Sequence, residues 1–238
     1  MRNIMAIFGK EWSSYMNGSL LYVVVPAFLL MVGFFSLYFQ DIFATGVITM
    51  RGVFFWCALS YLLLIPAITM RSFAEEFRSG SFELMATMPI ADEELVIGKF
   101  LSALALLALT LLLTLTYPIT LSFLGTIDWG AVAGGYLGLF LLGASFTAIG
   151  LAASASTSNQ NNAFLFAFVL SLIPFLLGYT LSRVPEGLIP IVQFASFEYH
   201  FNNLARGVID TRNLIYYGSV IGLALHCTMF LLARRRLQ

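Results

Sequence analysis

The sequence predicts an all-α integral membrane protein with six transmembrane helices, and three observations lead there. Hydrophobic residues are 60% of the 238 positions and charged residues 10%, against roughly 45–50% and about 25% in soluble domains. Several apolar runs reach the roughly 20 residues that a helix needs to cross hydrocarbon. Charge is confined between and outside these runs. The formal net charge is zero, so no bulk basicity points to nucleic acid.

The first element is a predicted interfacial amphipathic helix over 1–18. Ile4, Ile7, Phe8, Glu11, Trp12 and Tyr15 recur at three- and four-residue spacing, which places Trp12 and Tyr15 at headgroup depth beside Lys10. A simple anchor helix is the plainer alternative. The apolar run that starts near Leu20 is as long as a full span and lacks a small-residue cleavage site, so it reads as a span and not as a cleavable signal. Spans are expected at about 20–39, 53–70, 100–124, 131–153, 163–181 and 214–233. None has Asp, Glu, Lys or Arg in its interior, as expected when a mid-membrane charge costs at least about 2.5–3.5 kcal/mol. Pro26, Pro66, Pro118 and Pro174 fall inside spans and predict kinks, tolerated where neighbours satisfy the freed carbonyls.

The fourth span carries Gly134-x-x-x-Gly138 within a glycine- and alanine-rich run, a spacing that lets helix backbones approach closely. It predicts tight packing within the chain, and a dimer face only secondarily. Cys57 and Cys227 lie in apolar runs and read as small core residues, without disulfide or metal-ligand spacing. Arg234, Arg235 and Arg236 read as a stop-transfer signal. His226, within the last span, is expected to hydrogen-bond a neighbouring helix. With the N-terminus inside, eight Lys and Arg residues fall on the cytoplasmic side and four outside. That bias places both termini in the cytoplasm.

Six of the twelve acidic residues (Glu75, Glu76, Glu83, Asp92, Glu93 and Glu94) lie between the second and third spans. This loop, 73–98, is the one strongly water-facing segment. Gly80 interrupts the helical stretch, Ser81 is an expected N-cap for a short helix over 82–88, and Pro89 ends it. Asp92 is expected to cap the next helix, with Glu93 and Glu94 favourable to its dipole. The short helix would present Phe82, Leu84, Met85 and Met88 to a groove on a soluble partner. The plainer reading is a loop whose apolar groups dip into lipid. Between the last two spans, 182–213 is too long for a tight turn. Phe197, Phe201, Leu204 and Val208 keep helical rhythm there, with Ser196 at the start.

A run of motifs then carries a resemblance over nearly the whole chain. They are Lys10-Glu11, the stretch from Pro66 to Glu76, Ser79-Gly80-Ser81-Phe82-Glu83-Leu84, Pro89-Ile90, Gly98-Lys99, Ser158-Asn159-Gln160, Tyr199-His200-Phe201, and Arg206 to Arg212. Together they resemble type-2 ABC exporter permeases, and within them the gliding-motility permease subunits most. Where this chain has Ser81 the family often has Thr, which keeps the hydroxyl. The resemblance implies a multi-pass subunit of the bacterial cytoplasmic membrane that pairs with a second copy or a related permease. It also implies a soluble ABC ATPase bound beneath, and accessory proteins in some members.

The helix around Gly80, Phe82, Leu84, Met85 and Pro89 would then be the coupling helix. Glu75, Glu76 and Glu83 would face basic groups on the ATPase, and the helix bearing Lys10, Glu11 and Trp12 would lie beside it. The 182–213 segment would be an outer re-entrant lid. Its Tyr199, His200, Arg206 and Asp210, with Glu198, would touch substrate or pair among themselves. The chain has no Gly-x-x-x-x-Gly-Lys-Ser/Thr loop, so ATP and magnesium would sit on the partner ATPase, with no cofactor in this chain. Two other classes compete. An intramembrane enzyme needs a nucleophile and base, or metal ligands, gathered at membrane depth, and the two histidines here are isolated. A non-transporting structural subunit is separated from a permease by whether the chain alters ATPase activity.

Overall fold

Long apolar segments in hydrocarbon must satisfy every backbone group internally, and they do so as helices. In chain order these are α1 (Arg2–Asn17), α2 (Ser19–Phe39), α3 (Arg51–Thr69), α4 (Ala74–Ser79), α5 (Ser81–Ala86) and α6 (Asp92–Thr114). They continue as α7 (Thr116–Ser122), α8 (Trp129–Ser156), α9 (Gln160–Leu177), α10 (Ile189–Ala195), α11 (Phe197–Ala205) and α12 (Thr211–Arg236). Two 3-10 turns, Gly178–Arg183 and Glu186–Leu188, join α9 to α10. The computed structural model describes residues 2–39, 49–86, 90–208 and 210–236, with no strand among them.

Among the described residues, five segments are long and apolar enough to cross a bilayer: Arg51–Ser79, Asp92–Ser122, Trp129–Ser156, Gln160–Leu181 and Thr211–Arg236. The α1–α2 pair, whose parts Arg2–Asn17 and Leu21–Ser36 meet at 70°, makes a sixth if it is counted as one broken span.

The centre of the bundle is α8, which packs against α3, α6, α9, α11 and α12. Its small residues make this possible. A Cβ on Gly134 would run into the Leu204 carbonyl oxygen and Gly207 Cα, and one on Gly138 would press on Leu204 and Phe201. The Gly134–Gly138 spacing is therefore an internal seat for α11. Asp128 Oδ1 starts α8 by accepting from the Gly130 N–H at 2.9 Å.

Pro118 shows how a proline is absorbed. It breaks the third span into α6 and α7 and frees the Thr114 carbonyl four residues back. The Tyr136 hydroxyl on α8 donates to that carbonyl at 2.9 Å. On α12 the buried positions Ala224, Thr228 and Leu232 form a stripe of four-residue spacing facing the bundle. His226 and Cys227 fall off that stripe and are exposed. The expected helix–helix hydrogen bond of His226 is corrected accordingly, as is core packing for Cys227.

Candidate functional site

After α3 the chain leaves the apolar bundle and turns through 70–73 into α4. The N-cap position of α4 is Phe73, which has no side-chain oxygen to offer its first N–H groups. A residue from α8 supplies one. Ser154 Oγ accepts from the Phe73 and Ala74 N–H groups at 3.0 and 3.1 Å, and donates to the Met70 carbonyl at 3.0 Å. The two bonds from Phe73 and Ala74 are buried, and the one to Met70 is part-buried. Ser154→Ala should therefore destabilise the fold by about 1–3 kcal/mol, since buried donors are left unmet. Reversible unfolding in mixed micelles measures it, and a loss below about 0.3 kcal/mol would refute the tie.

Gly80 makes the reversal between α4 and α5. Its φ is +71°, the left-handed region in which a Cβ is strained. The hairpin's apolar side folds inward: Phe82 is buried and its ring meets Phe77 edge-on at 4.9 Å. Glu75 and Glu83 remain exposed.

A buried ammonium lies beneath the hairpin. Lys99 on α6 is 1% exposed, and its Nζ donates to Glu11 Oε1 at 2.8 Å, Glu76 Oε1 at 2.7 Å and the Ser72 carbonyl at 2.7 Å. An ammonium has three protons, and all three are used. One side chain thereby ties α1, the hairpin and α6 together. Lys10 also approaches Glu76 Oε1 at 3.5 Å, but it is well exposed, so that pair contributes about 0–1 kcal/mol. Tyr15 lies in the same enclosure. Burial, and secondly the Glu11 carboxylate, push its phenol up to about 12. A cavity of about 300 Å³ opens beside this network, with Arg71 and Glu75 on its wall.

The end of α12 closes the hairpin from the other side. Arg236 Nη2 lies 2.8 Å from Asp92 Oδ1 and donates to the Ile90 carbonyl at 3.3 Å. The Arg235 guanidinium sits 4.0 Å from the centre of the Phe77 ring.

At the opposite end of the bundle, Ser196 Oγ caps α11 by accepting from the Tyr199 N–H at 3.2 Å. His200 is buried, stacks on Tyr216 at 4.0 Å, and has Asn213 Oδ1 2.7 Å from Nδ1 and the Phe194 carbonyl 3.2 Å from Nε2. Tyr216 and Tyr217 donate to the Ala195 and Phe197 carbonyls at 2.9 and 3.1 Å. Burial raises the Glu198 carboxyl above its ordinary range, while its hydrogen bond from Asn202 and the Arg206 charge pull it back down. Glu198, Arg206 and Arg51 line a cavity of about 190 Å³ between α3, α9 and α11. Asp210 Oδ1 accepts from the Arg212 N–H at 2.9 Å and opens α12.

The family model described as "ABC-2 family transporter protein" matches residues 40–233. The chain belongs to the ABC-2 transporter family. No curated protein matches it.

This ABC-2 permease brings together two of the groups that the sequence placed apart. Glu11 and Glu76 meet on Lys99, so the Glu76 carboxylate is engaged within the chain and does not present itself to a partner. Phe82 likewise faces the permease's own core, because Phe73, Phe77 and Leu95 offer it an apolar pocket. Ser81 does not precede its helix; its hydroxyl lies 2.9 Å from that of Ser79 and donates to the Glu76 carbonyl at 3.5 Å. Asp92 is the first residue of α6, not its cap, and pairs with Arg236.

Trp12 stacks on Phe8 at 6.2 Å. Leu84 and Met85 lie on α5, while their side chains, and Met88 and Pro89 entirely, fall outside the described residues. Of the residues at the other end, His200 is turned inward, Arg206 stands at the cavity, and Tyr199 and Asp210 are exposed. Sequence reasoning missed Ser154, and missed Arg235 and Arg236 as hairpin contacts. Ser154 is one of four serine and threonine hydroxyls on α8, with Ser145, Thr147 and Ser156, and no sequence signal singled it out.

Proposed function

We propose that this chain is the permease half of an ATP-driven exporter. Two copies, or one copy and a related permease, would each seat their α4–α5 hairpin on a separate soluble ATPase that holds ATP and magnesium. The hairpin end, with α1 and the end of α12, would face the cytoplasm, as the eight-to-four distribution of Lys and Arg favours. The observation that carries this reading is the Lys99 network. A push on the hairpin cannot be absorbed locally, because Glu76, Ser72, Glu11 and Lys99 join it to α1 and α6 through buried, charge-assisted bonds.

With Glu76 and Phe82 turned inward, Glu83 and Glu75 are the two of the three expected carboxylates that stay exposed toward the ATPase. The cargo would be apolar or amphipathic, since the spans carry no interior charge.

Glu83→Lys tests the contact. The variant should insert and fold normally, because the side chain is exposed, while co-purification of the ATPase falls by about tenfold or more if a desolvated charge pair is reversed. Glu93→Lys, at the start of α6, should change it little. Unaltered ATPase binding and transport in Glu83→Lys would remove the hairpin from the coupling role. Orientation has its own check. A cysteine at Ser79 should be shielded from a membrane-impermeant thiol reagent in intact cells, and one at Asn203 should react. The reverse pattern would invert the topology.

A further inference from the structure

Facing away from the α3–α9 side, the helices α10 and α11 and the first turns of α12 enclose a second cleft of about 440 Å³. Asn213 lines it, 2% exposed, and its Nδ2 has no partner among the described residues. The pairing of His200 leaves one Asn213 amide atom over. Nε2 faces the Phe194 carbonyl, so that nitrogen must carry a proton and donate. If Nδ1 is also protonated, it donates to Asn213 Oδ1 and the amide nitrogen is unpaired. If Nδ1 is bare, the Asn213 amide turns over to donate to it, and Oδ1 is the atom left unpaired. Either way one buried polar atom of this cleft-lining residue has no partner among the described residues, a state costlier than a bond made.

The remaining lining decides what would meet it. Phe194, Tyr199 and Tyr216 supply aromatic surface, and Gln193 and Asn203 add two planar amides. Asp210 and Arg212 contribute one charge of each sign, so the cleft favours neither an anion nor a cation. A fitting ligand is uncharged, carries many groups that both donate and accept, and has an apolar face to lay on an aromatic ring. Saccharides have that combination of ring C–H faces and hydroxyls.

We propose that this cleft is a saccharide-binding site, taking either a free sugar or the sugar head of a glycolipid. Phe194 and Ile215, 67% and 70% exposed at its mouth, offer apolar surface on which a lipid tail could lie. The site goes beyond the export reading and does not depend on it: binding needs neither nucleotide nor ATPase, and a failed transport assay would leave it untouched.

The full chain in nanodiscs of phosphatidylethanolamine and phosphatidylglycerol, prepared without sugar detergents, provides the test. Maltose binding is read by saturation-transfer NMR. Binding of a glucosyl diacylglycerol bearing a diazirine is read by cross-linking and peptide mapping. At least one probe should engage, with the lipid cross-link mapping to residues 189–219. Maltose alone would identify a soluble saccharide, the lipid alone a glycolipid, and both support the shared chemistry.

Asn213→Leu, Tyr199→Ala and Asn203→Ala should each weaken binding by about tenfold, the effect of one lost buried hydrogen bond or stacking face. Asn203→Ala removes only a rim amide and keeps the test alive if Asn213→Leu fails to fold. Absence of binding by both probes would overturn the proposal. So would binding that Asn203→Ala and Tyr199→Ala leave unchanged, or equal displacement by a phosphocholine amphiphile.

Discussion

Lys99→Met should destabilise the folded chain by about 3–5 kcal/mol, the cost of breaking a buried ion pair by removing one partner. The methionine fills the space but leaves Glu11 and Glu76, only 14% and 12% exposed, facing each other with only the well-exposed Lys10 ammonium near Glu76. Reversible unfolding by SDS in mixed micelles measures the loss. Hydrogen exchange should locate it, with amides of 2–17 and 74–79 gaining exchange while α8 stays protected. Removing the carboxylates as well, in Lys99→Met with Glu11→Gln and Glu76→Gln, should recover much of the stability, because the uncompensated charge is what costs. Lys99→Arg should not substitute cleanly, since a planar fork cannot meet three acceptors converging on one tetrahedral ammonium. A loss below about 1 kcal/mol for Lys99→Met would show that the network is solvated and cannot act as a rigid joint.

Gly134→Leu is expected to cost about 3 kcal/mol, the upper part of the usual range for overpacking or beyond it. The added carbon points at backbone, the Leu204 carbonyl and Gly207 Cα, which cannot rotate out of the way as a side chain can. Segment 197–205 must therefore lift off α8, exposing Phe201 and Leu204, both buried in the native fold. Protease sensitivity and hydrogen exchange in that segment would report the shift. Gly222→Leu is the control: a Cβ there meets nothing within 4 Å, so stability should hold or rise slightly as helix propensity improves. Should Gly134→Leu change the oligomeric state while leaving the stability of the single chain intact, the glycine face would be an interface between copies instead of a seat for α11.

Local signals were legible in the sequence because their partners are close by. Ser196 caps α11 from three residues away, and the apolar runs are spans wherever they occur. The helical hairpin after the second span and its Gly80 turn also follow from nearby residues. Long-range partners were not legible. Lys99 meets Glu11 across 88 positions, Ser154 reaches Phe73 across 81, and Arg236 reaches Ile90 across 146. No periodicity encodes such pairings. Phe82 was misjudged for the same reason, as a short amphipathic helix carries an apolar face whether it meets a partner or its own core.

By itself, the sequence determined that this chain is a bundle of membrane-crossing helices with half of its acidic residues in the loop after the second span. A bilayer imposes that outcome on any chain with such apolar runs, through backbone satisfaction and the cost of buried charge. Only the tertiary structure decided which charges face outward. Glu76 and Lys99 are enclosed, and Glu75 and Glu83 are left exposed, because α1 folds back at 70° and packs on α6, bringing Glu11 to Lys99.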